Sequence, residues 1–225
     1  MRTLLDNRLY HRFATSTQWL VAAASVLQLL VSGYQYYLVQ HIDQVTPSDV
    51  TLLDEWQPVL GYGRLGVVLL AFTAFITWFY RGYDNLHRVR ETPLPSQASG
   101  WAIGGWFVPI MNFWYPYRLM KELWHLTQRH ALGVPVSPDY GLVKGWWTLR
   151  LASLIVARLA QSATDASPSN LDQLHDATVV LIVSVGLDLG YALVTLVLLR
   201  QQGRHETQLA ERYAVNGPVK TPASA

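Results

Sequence analysis

The chain has 225 residues, of which 51% are hydrophobic and only 14% are charged, and its formal net charge is +2. Soluble domains usually contain about 25% charged residues, so this composition, with a mean hydropathy of +0.15, predicts a membrane protein. The small net charge and the lack of a basic aromatic patch argue against nucleic acid as a partner. The absence of cysteine excludes disulfides, thiolate metal sites and cysteine nucleophiles.

The N-terminal part of the chain predicts a surface segment followed by a membrane span. Residues 1–17 carry three arginines between apolar residues, a pattern typical of either an amphipathic helix on a membrane or a basic tail. Residues 18–39 form an apolar run that reaches the length of about 20 residues needed to cross the hydrocarbon, and it is too long for a cleavable signal. A polar stripe recurs in this run at helical spacing and is expected to be buried: Ser25, Gln28, Ser32 and Gln35.

Three further apolar stretches predict three more spans. The second span covers 58–80, with Pro58 expected in the first turn of its helix, a position that tolerates proline. The third covers 141–161 and is entered by two tryptophans, a residue type enriched at membrane interfaces. The fourth covers 177–199. The expected fold is therefore an all-α integral membrane protein with four transmembrane helices arranged as two hairpins.

The region between the second and third spans is basic, then rich in proline and aromatic residues. Its apolar run at 101–110 is too short to span a membrane, so residues 101–115 are expected to enter and leave on one side as a re-entrant segment. Residues 117–130 separate apolar and charged side chains onto two faces of a helix, which predicts an interfacial amphipathic helix. We expect the whole of 101–130 to be re-entrant or interfacial.

The distribution of lysine and arginine predicts the orientation, because cytoplasmic segments are enriched in both residues. They occur in the N-terminal segment, in the central region and in the C-terminal region, but not in the loops at 40–57 and 162–176. Both termini and the central region are therefore expected in the cytoplasm. The membrane domain is expected to cover 18–205, and a partly disordered cytoplasmic tail to cover 206–225.

A set of aromatic, proline and polar residues carries a resemblance to a known family. Its most specific part is the run Trp-Phe-x-Pro-x-x-Asn at 106–112, followed by a proline at 116. Across 58–205 the chain resembles a bacterial multi-pass membrane family catalogued as domain of unknown function 4328. The resemblance implies a four-span fold in the bacterial inner (plasma) membrane and implies no activity. The matching residues include Trp78, Arg81, Asn85, Gly100, Trp101, Trp106, Pro109, Asn112, Pro116, Met120, Glu122, Trp124, Trp146 and Trp147.

Part of this set forms a candidate motif at the cytoplasmic face. Arg81 and Asn85 are four residues apart and share one face of a helix. They are expected to bind a lipid phosphate, to cap the re-entrant segment, or, for Arg81, to anchor its helix at the headgroups. Asn112 is expected either to satisfy backbone groups freed by the neighbouring prolines or to bind a ligand. The candidate motif comprises Trp78, Arg81, Asn85, Trp106, Pro109, Asn112, Pro116 and Glu122.

Polar residues inside the predicted spans form a candidate intramembrane site, because each ionisable one costs about 2.5–3.5 kcal/mol to insert and is usually paired or functional. Arg150 and Asp188 lie at equal depth, about 16 Å below the outer ends of their spans at 1.5 Å per residue. We expect these two residues to pair in the core, with Gln28 beside them. Arg64 and Arg158 lie nearer the outer surface, where their side chains can snorkel outward.

The sequence offers no recognisable catalytic set, no paired histidines with zinc spacing and no histidine within a predicted span to hold a haem. We therefore expect no enzymatic activity and no cofactor. The leading hypothesis is a non-enzymatic membrane module that acts through lipid or protein contacts. Its partners are the lipid bilayer and either a second copy of the chain or another membrane protein. The alternative is a small oligomeric transporter or channel component that binds an anion at buried arginines.

Overall fold

The computed structural model describes residues 3–89, 92–135, 139–165 and 170–216, with the side chains at 164, 165, 215 and 216 excepted. Within these ranges the chain is helical and contains no strand, so the predicted all-α class is confirmed. Two short 3-10 helices, Ile42–Gln44 and Met111–Phe113, accompany six α-helices. The α-helices are α1 (Arg8–Gln40), α2 (Pro47–Val89), α3 (Trp101–Phe107), α4 (Tyr115–Leu132), α5 (Gly141–Asp165) and α6 (Leu171–Asn216).

Three of the described helices are long and apolar enough to cross a membrane, rather than the four that the sequence predicts. They are α1, α2 and α6. The fourth predicted span corresponds to α5, which has sufficient length at 25 residues. Arg150 and Arg158 interrupt its apolar stretch, and these two side chains lower its hydropathy below that of the other three helices.

The second helix begins eleven residues earlier than predicted, at Pro47. Thr46 precedes it and donates both its backbone N–H and its hydroxyl to Asp49 Oδ2, at 3.0 and 2.6 Å. The Asp49 carboxylate thus caps the start of the helix, and Pro47 loses no hydrogen bond at its first position. The expectation that Pro58 occupies a first turn is wrong, because Pro58 lies inside α2.

The last helix extends well beyond the predicted span at both ends. Asn170 caps its start, where the Asn170 side chain accepts a hydrogen bond from the backbone N–H of Gln173 at 2.9 Å. The helix continues to Asn216 because Gln202 and Leu209 are buried on the side that faces the protein. Part of the expected tail, 206–216, is therefore helical, and 217–225 lie outside the described residues.

The chain forms two compact units. Unit 1 comprises Met1–Thr15, Thr73–Lys144 and Val197–Ala225, and unit 2 comprises Ser16–Phe72 and Gly145–Leu196. Helices α1, α2, α5 and α6 contribute residues to both units, whereas α3 and α4 belong to unit 1.

Small residues form the core of unit 2. Ala22 of α1, Ala71 of α2 and Ala192 of α6 pack together with Val21, and small side chains of this kind allow helices to approach closely. On α5, Trp146 is fully buried and donates its indole N–H to Thr195 Oγ1 at 3.2 Å. The predicted burial of the polar stripe on α1 is confirmed at its two serines, Ser25 and Ser32, which are fully buried.

Large side chains form the core of unit 1. The fully buried members are Trp78, Phe79, Tyr83 and Leu86 from α2, Leu119, Met120 and Leu123 from α4, and Leu198 and Leu199 from α6. The apolar side of α4 therefore packs against protein. Thr127 of α4 accepts a hydrogen bond from Gln202 at 2.9 Å, and the ring of Trp124 meets His205 edge-on. This packing differs from the expected interfacial helix, whose apolar side would face lipid.

Candidate functional site

A cluster of three polar side chains joins three helices within unit 2. Arg64 of α2 forms an ion pair with one carboxylate oxygen of Asp188 on α6. Ser153 of α5 donates its hydroxyl to the other carboxylate oxygen. The side chains of Arg64 and Asp188 are only 24% and 22% exposed, so the pair is largely shielded from solvent. Both oxygens of the carboxylate thus have a donor, and the charge is compensated inside the unit.

The predicted pairing of Arg150 with Asp188 is wrong. The guanidinium of Arg150 instead lies 5.6 Å from the centre of the Tyr191 ring, one turn along α6 from Asp188, in a cation–π arrangement. The cause is the register of the two antiparallel helices, in which Ser153 opposes Asp188 and Arg150 opposes Tyr191.

The other two members of the predicted intramembrane site stay apart from this cluster. Gln28 is half-buried on α1 and makes no hydrogen bond within the part of the chain that the structure describes. Arg158 is exposed, and its backbone carbonyl accepts a hydrogen bond from Ser162 at 3.0 Å. The structure thus brings together Arg64 and Asp188, with Arg150 one turn away. Ser153 was missed, although it is three residues from Arg150 and therefore on the same side of its helix.

Two residues of the motif that was predicted at the cytoplasmic face hold the N-terminal segment in unit 1. The side-chain amide of Asn85 accepts a hydrogen bond from the backbone N–H of Leu5 at 2.8 Å and donates one to the Leu5 carbonyl at 2.9 Å. Arg81 donates to the Asp6 carbonyl at 2.9 Å and lies over the ring of Tyr10 at 4.2 Å. The expected contact of this pair with the re-entrant segment is therefore wrong. Their shared helix face was predicted correctly, but the backbone that they bind was not.

Trp78 lies beneath the same N-terminal segment. Its side chain is fully buried, and its backbone carbonyl accepts a hydrogen bond from the Asn7 side chain at 3.2 Å. The same Asn7 amide donates to Glu206 of α6 at 3.1 Å. His11 meets the Trp78 ring edge-on and bonds the Leu199 carbonyl at 2.9 Å. The first turn of α1 is thus fixed against both α2 and α6 within unit 1.

Glu122 connects three parts of unit 1. One carboxylate oxygen accepts the hydroxyl of Tyr83 at 2.6 Å and the hydroxyl of Ser96 at 3.1 Å, and the other accepts the backbone N–H of Ser96 at 2.6 Å. The same loop is held to α2 by a hydrogen bond from Ser99 to Asp84 at 2.8 Å. Glu122 is therefore a structural junction. The sequence places it on the charged side of α4 but gives no sign of its partner Tyr83.

The tryptophan–proline run forms a short helix and a turn. Trp106 is buried and meets Phe75 edge-on at 5.9 Å, whereas Pro109 is exposed. Asn112 donates its backbone N–H to Val108 at 2.9 Å, and its side chain makes no hydrogen bond within the described residues, so its predicted role as a backbone partner is not found. Pro116 is buried in the first turn of α4. The tip of this turn exposes large apolar side chains: Phe107, Ile110, Phe113 and Trp114.

Two titratable groups, His125 within α4 and Tyr140 just before α5, have perturbed pKa values. Burial and the nearby charge of Arg129 hold the pKa of His125 below its usual value of 6.5. Burial, together with the neighbouring Tyr117, raises the pKa of Tyr140, whose ring lies edge-on to His125 at 6.4 Å. At neutral pH both rings are therefore largely uncharged. The ammonium group of Lys121 lies over the rings of Tyr117 and Tyr140.

No group of three or more histidine, aspartate or glutamate side chains within the described ranges is arranged to hold a metal ion.

Comparison with known proteins gives one match. A family model described as a domain of unknown function (DUF4328) covers residues 43–203 of the chain. No curated protein and no solved structure is significantly similar to it.

Proposed function

The chain belongs to the DUF4328 family, and we propose that it is a non-enzymatic protein of the bacterial inner membrane that acts through contacts with lipids or with another protein. The length and composition of α1, α2 and α6 support an integral membrane protein. The proposal includes four membrane crossings, with both termini in the cytoplasm.

The observation that carries the proposal is the composition of unit 1. All but three of the 17 lysines and arginines belong to its segments, the exceptions being Arg64, Arg150 and Arg158. These segments are far apart in the sequence, yet they form one compact body. This supports a position of all these segments on the same side of the membrane, and basic residues favour the cytoplasmic side.

A common side for these segments also requires α5 to cross the membrane. The chain leaves unit 1 after Lys144 and re-enters it at Val197. If α6 crosses in one direction, α5 has to cross in the other. Two observations support this. Ser153 of α5 contacts Asp188 in the apolar part of α6, and α5 exposes the apolar side chains of Leu154, Ile155 and Leu159.

The two arginines of α5 are compatible with such a crossing. Arg150 lies over the aromatic face of Tyr191, which is a favourable environment for a guanidinium. Arg158 lies seven residues before the end of α5 at Asp165, roughly 10 Å along the axis at 1.5 Å per residue, so its long side chain can reach the interface.

The segment around α3 fits the proposed re-entrant element. At seven residues, α3 is roughly 10 Å long and cannot cross the hydrocarbon. The turn after it exposes Phe107 to 66%, Ile110 to 71% and Phe113 to 61%, and apolar side chains exposed together usually mark a membrane or protein contact. We place this tip in the cytoplasmic interface of the bilayer.

Transport at buried arginines is the alternative function, and one observation weighs against it. The carboxylate of Asp188 is fully engaged by Arg64 and Ser153, so this charge is compensated by the protein itself. Arg64 is paired with Asp188, and Arg158 lies near the end of α5. Among the described residues of unit 2, Arg150 is therefore the one arginine that has no ion pair and lies away from a helix end.

An anion flux assay distinguishes the two functions. Purified protein is reconstituted into liposomes loaded with chloride or phosphate, and release is compared with that from empty liposomes. We expect no protein-dependent release. Release that is lost in Arg150→Leu but retained in the control Arg158→Leu would contradict the proposal and support transport.

A further inference from the structure

Unit 1 contains a cavity of about 390 Å³ between the start of α1 and the last third of α6. Small-molecule sites usually have volumes of roughly 300–1,000 Å³, so the cavity is large enough for a compact ligand. Its lining includes neither the Arg64–Asp188 cluster nor the exposed apolar tip after α3.

Four arginines line the cavity, in two matched pairs. Arg8 and Arg12 lie four residues apart on α1, and Arg200 and Arg204 lie four residues apart on α6. Residues with this spacing share one face of a helix, so each helix contributes two neighbouring arginines to the lining of the cavity. All four side chains are exposed to solvent, and none forms an ion pair within the described residues.

The charge of the lining is positive. Two carboxylates, Asp6 and Glu206, also line the cavity. Asp6 accepts the backbone N–H of Arg8 at 3.0 Å, and Glu206 accepts the side chain of Asn7, so both are occupied by groups other than the arginine side chains. Four guanidinium groups therefore face at most two negative charges, and the remaining positive charge attracts an anion.

The packing of α1 against α6 fixes the distance between the two arginine pairs. Gly203 lies between Arg200 and Arg204, and it packs against the imidazole of His11, where any larger side chain would overlap the ring. His11 in turn bonds the Leu199 carbonyl at 2.9 Å. Because a carbonyl only accepts, this nitrogen of His11 carries the proton, and the arginine pairs are held on a rigid pair of helices.

We infer that this cavity binds a phosphate group. The planar guanidinium fork of arginine matches the oxygen atoms of phosphate and forms paired charge-assisted hydrogen bonds with them. The phosphate can come from the headgroup of an anionic lipid or from a free phosphate compound, and the chemistry of the site is the same for both. The inference goes beyond the proposed function and stands on unit 1 alone, so it does not depend on how many helices cross the membrane.

Binding is measured on the purified full-length protein in a neutral detergent, with two probes. Inorganic phosphate, titrated by calorimetry, tests a free ligand. Dioleoyl phosphatidic acid, added to the micelles and followed by native mass spectrometry against dioleoyl phosphatidylcholine, tests a lipid headgroup. Binding of either probe supports the inference and identifies the source. Binding of neither overturns it.

Three variants test whether the cavity is the site. Arg200→Gln with Arg204→Gln should weaken binding at least about tenfold, because charge-assisted hydrogen bonds to the phosphate are lost. The matched control, Arg118→Gln with Lys144→Gln, removes the same charge from exposed positions of unit 1 outside the cavity and should leave the affinity within about twofold, since distant surface charges are screened by salt.

Ala210→Leu fills the cavity without changing any charge. It should also weaken binding, and its folding is checked by its helical circular dichroism and melting temperature. An equal loss in the Arg118/Lys144 control would show that the probe binds diffuse surface charge. Undiminished binding by Ala210→Leu would put the phosphate outside the cavity. Either result contradicts the inference.

Discussion

The ion pair between Arg64 and Asp188 gives a quantitative prediction about stability. Its two side chains are 24% and 22% exposed and lie on helices α2 and α6. Replacing Arg64 with leucine leaves the carboxylate of Asp188 with Ser153 as its only hydrogen-bond donor among the described residues. Removing one partner of a shielded pair typically costs about 3–5 kcal/mol, because the surviving charge is uncompensated. Since these side chains keep some exposure, we expect the lower end, about 3 kcal/mol.

A loss of this size is measurable as a change in melting temperature. For a domain of about this length each kcal/mol corresponds to roughly 2–4 °C, so Arg64→Leu should melt roughly 6–12 °C below the parent protein in detergent. The double variant Arg64→Leu/Asp188→Leu should recover part of this loss, because no lone charge remains. The coupling in the double-mutant cycle should be roughly 1–3 kcal/mol.

The same cycle on Arg150 and Asp188 serves as the control. Arg150 contacts the Tyr191 ring rather than the carboxylate, so its effect should be nearly additive with that of Asp188→Leu. Additive effects for the Arg64 cycle, or a larger coupling in the Arg150 cycle, would refute the assignment of the pair.

Three other predictions follow from unit 1. Gly133→Ala should destabilise the protein by about 1 kcal/mol in thermal melting, because Gly133 ends α4 with a φ of +70°. The control Gly145→Ala should be neutral or stabilising, because Gly145 lies inside a helix with open space around it. Asn85→Leu should accelerate hydrogen exchange of the Leu5 amide by about tenfold, because it removes the acceptor of that N–H. An unchanged rate would contradict the contribution of this hydrogen bond. Burial lowers the pKa of His125 in the folded state, so its contribution to stability is present above the unfolded pKa of about 6.5 and is lost as the pH falls through the folded pKa. A His125→Gln variant should therefore show a smaller loss of melting temperature on acidification than the parent protein. An equal loss would contradict the lowered pKa of His125.

The sequence predicts the helices better than their ends. Apolar length and composition identify α1, α2 and α6, because a helix that crosses hydrocarbon needs about 20 apolar residues. The ends depend on short polar signals and on tertiary packing. Thr46 and Asp49 cap α2 at a recognisable spacing, and this signal outweighs the proline at 58. The extension of α6 to Asn216 follows from the burial of Gln202, which no local pattern indicates.

The candidate site was predicted in its residue types but not in its pairing. An ionisable residue in an apolar helix calls for a partner, which singles out Asp188, but Arg64 was expected to snorkel outward and instead pairs with Asp188. The choice between Arg64 and Arg150 depends on the register of α5 against α6, and one turn of displacement changes the partner. Likewise, the shared face of Arg81 and Asn85 follows from their spacing, but their partner, the backbone at Leu5 and Asp6, lies about 75 residues away and requires the fold.

The most direct test of the account concerns the side of the membrane on which each segment lies. Because the native chain has no cysteine, single exposed cysteines can be labelled in intact cells with an impermeant thiol reagent without background. The account predicts that Ser48→Cys and Gln173→Cys are labelled from outside, whereas Ala98→Cys and Glu211→Cys are labelled only after the cells are opened. Labelling of Ala98→Cys or Glu211→Cys in intact cells would contradict a common cytoplasmic side for the segments of unit 1, and with it the crossing by α5.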